Sequence, residues 1–211
     1  IDLQGITKSD TELISKYRQL ALHPEVDWAL QQIVNEAIIT EEGEDILEID
    51  LDELGDEGLP EAVCKAIKEE FSEVGRLLDF ENHAHDIFTR FYVDSRINYH
   101  VIIDEKNPQD GIKELRYIDP RKIRKVREIK AQATQNPQMT AGIEAQGEVK
   151  QEYYIFNPQG FVSNQHMIGY NYQPPTAGIK IHPDSVVQVT SGLTDPTGTA
   201  SVSYLHKAIK A

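Results

Sequence analysis

Residues 76–130 read RLLDFENHAHDIFTRFYVDSRINYHVIIDEKNPQDGIKELRYIDPRKIRKVREIK, and the succession of patterns in this stretch decides the fold. Ala84, Ile87, Phe88, Phe91 and Tyr92 recur at helical spacing, which predicts a helix from Asn82 to about Asp94, with Asp79 as its cap. From Ile97 the period drops to two. Ile97, Tyr99, Val101 and Ile103 alternate with Asn98, His100 and Ile102, as a strand requires. Asn107-Pro108 and Asp110-Gly111 form a turn, and Ile112–Ile118 returns as the second strand. Asp119-Pro120 interrupts, and Ile123–Ile129 follows as a basic strand of an antiparallel meander.

Working outward, the chain before this stretch is helical in pattern. Thr11–Leu22 carries Leu13, Ile14, Tyr17, Leu20 and Ala21 near helical spacing. His23-Pro24 breaks it, and Pro24 can open a second helix to about Ile39, with Leu30, Ile33, Val34 and Ala37 on its apolar stripe. Glu41–Asp45 is an acidic turn, and Ile46–Leu51 reads as a short edge strand. Leu59–Leu78 carries the strongest helical stripe: Val63, Ala66, Ile67, Phe71, Val74 and Leu78.

After the meander, residues 131–147 are rich in Ala, Gln, Thr and Gly and lack any period, so a mobile loop is expected. Val149–Phe156 alternates again, and Asn157-Pro158-Gln159-Gly160 turns the chain. Ile179–Ile181 and Ser185–Val189 read as short strands. Ser201–Ala211 reads as the start of a helix with no C-cap residue, which implies that the protein continues. The expected fold is therefore α+β, with helices packed on an antiparallel β meander. Residues 11–94 are mostly helical and residues 97–190 mostly β.

The 211 residues carry a net charge of −14, which argues against a freestanding sequence-specific DNA binder. It leaves room for a channel wall, because a mixed or acidic wall does not grip a polyanion through its phosphates. The first ten residues, IDLQGITKSD, lack an initiator Met and any signal-peptide pattern, so an internal start or a processed chain is expected. No apolar run approaches the roughly 18 residues a membrane helix needs. Cys64, the single cysteine, can form no intrachain disulfide and reads as a small, partly buried side chain.

Charge is segregated. No Lys or Arg occurs between Arg18 and Lys65, an interval that includes Glu41, Glu42 and Asp45. The segment 116–130, by contrast, contains Arg116, Arg121, Lys122, Arg124, Lys125, Arg127 and Lys130. One reading is an electrostatic interface in which the basic strand of one copy meets the acidic surface of the next. Its candidate residues are Arg121, Lys122, Arg124, Lys125 and Arg127 against Glu41, Glu42 and Asp45. The bland reading is that these charges are solvated or pair within one subunit.

No catalytic constellation emerges. His83 and His85 stand two residues apart on a helix and point to different faces, a poor arrangement for a metal. Glu41–Glu53 lacks the register of a calcium loop, and no phosphate-binding GxxxxGK[ST], GxSxG, HExxH or CxxC pattern occurs. Neither cofactor nor metal is expected, and no residue is assigned a catalytic role. Phe88, Phe91, Tyr92, Tyr99 and Tyr117 sit at core spacing rather than forming a base-stacking platform.

The wording of several segments is nevertheless specific. LLDF at 77–80, DIFTRFYVDSRINYHVIID at 86–104 and GIKELRYIDPRKIRKVREI at 111–129 closely resemble the portal-vertex protein of contractile-tailed, T-even-type bacteriophages. So do YRQLALHPEVDWALQQIVNEAI at 17–38 and, towards the end, SGLTDP and SYLHKAIK. The resemblance implies a structural subunit, not an enzyme, of a head–tail connector ring of about twelve copies. It implies the outer wing, with the channel-lining stem and the clip absent and the last helix leading towards the stem. The implied partners are further copies of the chain, the major capsid protein, the terminase motor, the neck proteins and a scaffold, with genomic DNA passing through the ring. The implied location is the virion, at the vertex joining head and tail, assembled in the bacterial host. Two other classes fit the bare composition: a protein-binding adaptor domain that forms no ring, and a metal-dependent DNA-processing enzyme.

Overall fold

The computed structural model describes residues 10–38, 46–51, 60–129, 149–161, 178–196 and 200–210. Among the described residues four α-helices come first: α1 (Asp10–Ala21), α2 (Pro24–Ile38), α3 (Glu61–Leu77) and α4 (Phe80–Asp94). Six strands follow: β1 (Arg96–Ile103), β2 (Ile112–Ile118), β3 (Ile123–Ile129), β4 (Val149–Phe156), β5 (Ile179–Ile181) and β6 (Val186–Thr190). The fold is α+β, as expected.

The helical layer closes around Tyr17, Leu30, Val34 and Val93, one or two buried residues from each of α1, α2 and α4. Ala21, Phe88 and Tyr92 pack against this cluster, so Phe88 and Tyr92 belong to the core. Helix α3 is different: it has no fully buried residue, and Val63 and Val74 on its stripe are exposed.

The strands do not form one meander. They divide into two three-stranded antiparallel sheets, ordered β2-β1-β6 and β3-β4-β5. The break falls at Asp119-Pro120, where the proline has no N–H to continue a ladder. The backbone N–H of Lys122 donates to the Asp119 carbonyl (2.8 Å), and the chain leaves for the second sheet. The strand that closes the first sheet is β6, which arrives 68 residues after the end of β2 (186 − 118), and alternation, which marks the strand, gives no sign that it pairs with β1. The sheets pack face to face through Ile118 and Val186 on one side and Ile123 and Tyr154 on the other, with Phe156 and Ile181 against them. The outer face of the second sheet is closed by Phe161 over Tyr153 and Ile155.

Other expectations are corrected. Residues 46–51 form no strand; they run as bend and coil, with Leu51 buried as an anchor. Asp79 precedes α4 but makes no side-chain cap; it adopts a left-handed backbone (φ 47°), and its carboxylate accepts instead from Asn82 Nδ2 (2.8 Å). The expected C-terminal α-helix is a run of 3-10 turns, Tyr204–Lys210. The loop at 131–147 lies outside the described residues.

Candidate subunit interface

The basic strand is the feature the sequence singles out, and its cations are largely occupied within the subunit. Arg121 folds back on Asp119: Nη2 donates to Oδ2 (2.8 Å), Nε lies 3.1 Å from Oδ1, and the Arg121 backbone N–H donates to Oδ1 (2.9 Å). Arg124 stacks over the Phe161 ring, its guanidinium carbon 4.2 Å from the centroid. Burial pulls the Arg124 pKa below its ordinary value, with Asp10 acting the other way. Lys180 from β5 stacks likewise over Tyr153, at 3.7 Å. Such cation–ring contacts strengthen as they lose water. Lys125 pairs with Glu152 across the β3–β4 ladder (3.0 Å), in a diagonal relation typical of neighbouring strands. Lys122, on the turn before β3, is exposed and has no carboxylate within ion-pair distance among the described residues. Arg127 occupies the register position opposite Glu152, and nothing is described of its side chain. Glu41, Glu42 and Asp45 lie outside the described residues. The bland reading of the charges thus accounts for Arg121, Arg124 and Lys125.

What the sequence reading missed is the other cation, Arg18. It projects from α1 between the two halves of the fold. Its Nε and Nη2 grip Asp94 at 2.8 and 2.7 Å, and its Nη1 reaches Asp119 Oδ2 at 3.0 Å. Asp94 ends α4 and is 1% exposed; Asp119 sits between β2 and β3. A planar guanidinium can face two carboxylates at once, which an ammonium cannot do with the same geometry. The hydrogen bond to Asp94 raises the Arg18 pKa above its ordinary value, against the opposing cost of burial. Burial pushes the Asp119 carboxyl up, but hydrogen bonds from Arg121 and Arg18 outweigh it and hold it well below the usual carboxylate range. Beside this clamp, Tyr117 is pushed up to about 12, chiefly by burial. A groove of about 490 Å³ lies over it, lined by Leu22, Leu30, Val93 and Tyr117 together with Arg18 and Asp94. Leu22 on its rim is 81% exposed and Trp28, one turn into α2, 67%. The only hint in the sequence was an arginine set beside the apolar stripe of α1.

The segment 200–210 is seated on the helical layer. His206 Nδ1 lies 2.7 Å from the Tyr17 hydroxyl. Tyr204 stacks on Tyr92 with ring centroids 4.6 Å apart, and Leu205 and Ile209 complete the helical core. Ser203 Oγ donates to the Tyr92 carbonyl (3.0 Å), and Arg96 ties Ser201 to Asp10. His83 pairs with Asp79 (3.0 Å), and among the described residues no cluster of His, Cys, Asp or Glu suits a metal.

A family model described as "Bacteriophage T4-like portal protein (Gp20)" matches residues 10–211 of this chain. The chain is 34% identical over 183 residues to the portal protein of Salmonella phage ViI, covering 85% of this chain and 31% of that protein. It is 34% identical over 203 residues to the portal protein of Vibrio phage KVP40, covering 94% and 36%. The chain belongs to the T4-like portal protein family. It spans about a third of the length of these curated relatives. The family is that of a bacteriophage structural protein. No helix among the described residues is long and apolar enough to cross a membrane.

Proposed function

We propose that this chain is the N-terminal wing part of a portal subunit, which in the full-length protein assembles into a ring at one vertex of the phage capsid. The ring of about twelve copies serves head assembly, passage of the genome during packaging and ejection, and the joining of head to tail. The observation that carries this reading is the family match over residues 10–211. In keeping with it, Tyr204–Lys210 is fixed to α1 and α4. The wing's task is packing against neighbouring copies and the surrounding shell. Further partners are the packaging motor, the neck proteins and the scaffold, and the protein's place is the virion. Catalysis has no part in the reading.

The basic-strand interface takes a narrower form. Because Arg124 and Lys125 are engaged inside the subunit, reversing their charge would disturb the fold as well as any contact. Lys122 is exposed and, among the described residues, has no carboxylate within ion-pair distance, and it is the position at which an acidic neighbour acts.

The test is electron microscopy with light scattering on the full-length parent protein. Closed rings with a central hole support the proposal. A persistent monomer at high concentration favours an adaptor domain instead, and cleavage of DNA dependent on a divalent cation would point to an enzyme.

A further inference from the structure

The two edges of the first sheet are not alike. Strand β6 is its outer strand, and among the described residues nothing pairs with its far side. The Ser191 N–H donates to the Ser95 carbonyl (2.7 Å), so this pair belongs to the ladder with β1. Stepping back by twos places Val189 and Val187 in the ladder and turns the backbone N–H and carbonyl of Gln188 outward. The strand reads VVQVT, with no charge and no proline. Open edges are ordinarily guarded by charge, proline or shortness. The edges of the second sheet obey that rule: β3 carries Arg124, Lys125, Arg127 and Glu128, and β5 has three residues; on β2 the charges are matched inside the subunit, Lys113 with Asp104 (2.7 Å) and Arg116 with Glu114 (2.9 Å). Val187 and Val189, on the face beside the open edge, are 47% and 49% exposed.

The opposite edge of the same sheet, β2, matches it. Both β2 and β6 run antiparallel to β1, so they are parallel to each other. The face bearing Val187 and Val189 bears Leu115 and Tyr117 on β2, since Tyr99 stands between Tyr117 and Val187 in register. The reverse face bears Val186 and Gln188 on β6 and Glu114, Arg116 and Ile118 on β2; Val186 and Ile118 are buried against the second sheet, Gln188 Nε2 donates to Asn98 Oδ1 (2.9 Å), and Glu114 pairs with Arg116 at 2.9 Å. Laying β2 of a second copy along β6 therefore sets Val187 and Val189 beside Leu115 and Tyr117 on one face, and on the other brings together strands whose charges, Glu114 and Arg116, are already matched within β2.

We propose that β6 takes as its partner strand β2 of a neighbouring copy, so that the sheet runs on from one subunit to the next. This rests on the ring reading. A contact between two different edges is heterologous and repeats until it closes, whereas β6 pairing with β6 would stop at a dimer.

The experiment uses the full-length parent protein. Val187→Lys with Val189→Lys places charge on the edge, and Gln188→Pro removes its outward N–H while leaving the valines in the ladder; Gln188→Ala, which loses the same side-chain bond to Asn98 Oδ1 (2.9 Å) but keeps the N–H, is the control and is expected to keep its rings. Circular dichroism checks that each variant is folded. Both edge variants are expected to lose rings and remain folded as monomers. In a Cys64→Ser background, Val187→Cys combined with Leu115→Cys is expected to give a ladder of covalent oligomers on oxidation, and neither single cysteine is. Rings that persist in both edge variants overturn this strand pairing and leave the ring reading standing. A covalent dimer from Val187→Cys alone overturns it in favour of β6–β6 pairing. Wild-type protein that forms no rings overturns both readings.

Discussion

Arg18 shows how one side chain can hold three segments that are remote in sequence. It was not legible beforehand, because a charged residue beside an apolar helical stripe looks the same whether it meets water or carboxylates 76 and 101 positions away. Removing it leaves Asp94 buried and uncompensated, which typically costs about 3 kcal/mol or more. Arg18→Ala is expected to lower the urea midpoint accordingly, and Arg18→Lys to recover only part of the loss, because an ammonium lacks the fork. The same site sets the acid limit. The Asp119 pKa is depressed in the folded state, so its stabilisation is complete above the ordinary carboxylate value of 3.8 and is lost as pH falls below it. Asp119→Asn is expected to be less stable at neutral pH and to show a flatter loss of stability between pH 5 and pH 2 (both set by that 3.8 reference), read from urea titrations at a series of pH values. Little destabilisation at neutral pH, or an unchanged acid limb, would remove Asp119 from the account.

At the scale of elements, alternation and helical spacing were strong enough to place α1 to α4 and β1 to β6 within a few residues. What they could not express was which strands pair. The partner of β1 beyond β2 is β6, and the sheet boundary depends on the missing N–H of Pro120 and on the turn bonds of Lys122. The 3-10 character of Tyr204–Lys210 is likewise set by what it packs against, since Leu205 and Ile209 reach one core and Tyr204 stacks on Tyr92. Between Ile46 and Leu51 the chain makes no ladder; Leu51 is buried, while Leu47 is exposed. The entry to β5 gives a sharper test. Gly178 has φ +153°, and a Cβ there would meet the Phe156 carbonyl oxygen at 2.6 Å and Ile155 Cγ2 at 2.7 Å. Gly178→Ala is expected to detach β5 from β4 and to destabilise by about 2 kcal/mol. Faster amide exchange confined to β4 and β5 would be the signature, and unchanged exchange would show that the backbone there gives way freely.

For the whole molecule, a net charge of −14 coexists with a basic strand whose cations are mostly matched inside the fold. Charge in the sequence therefore overstated the free positive surface. Lys122→Glu is expected to leave the melting temperature of the subunit within a degree or two, as exposed substitutions do, while weakening assembly of the full-length protein in light scattering. Unimpaired assembly would retire the basic strand as a contact.

The bond between Tyr17 and His206 spans 189 positions. During synthesis, α1 leaves the ribosome long before its partner exists, at roughly 5–20 residues per second. Its buried face must wait, and contacts that close such long loops form late and slow the search. Chains ended before Tyr204 should therefore keep an open apolar surface, bind a hydrophobic dye strongly and be cut near α1 by protease, while the chain to Ala211 does neither. Equal dye binding by both would mean that the first helix matures without its last partner.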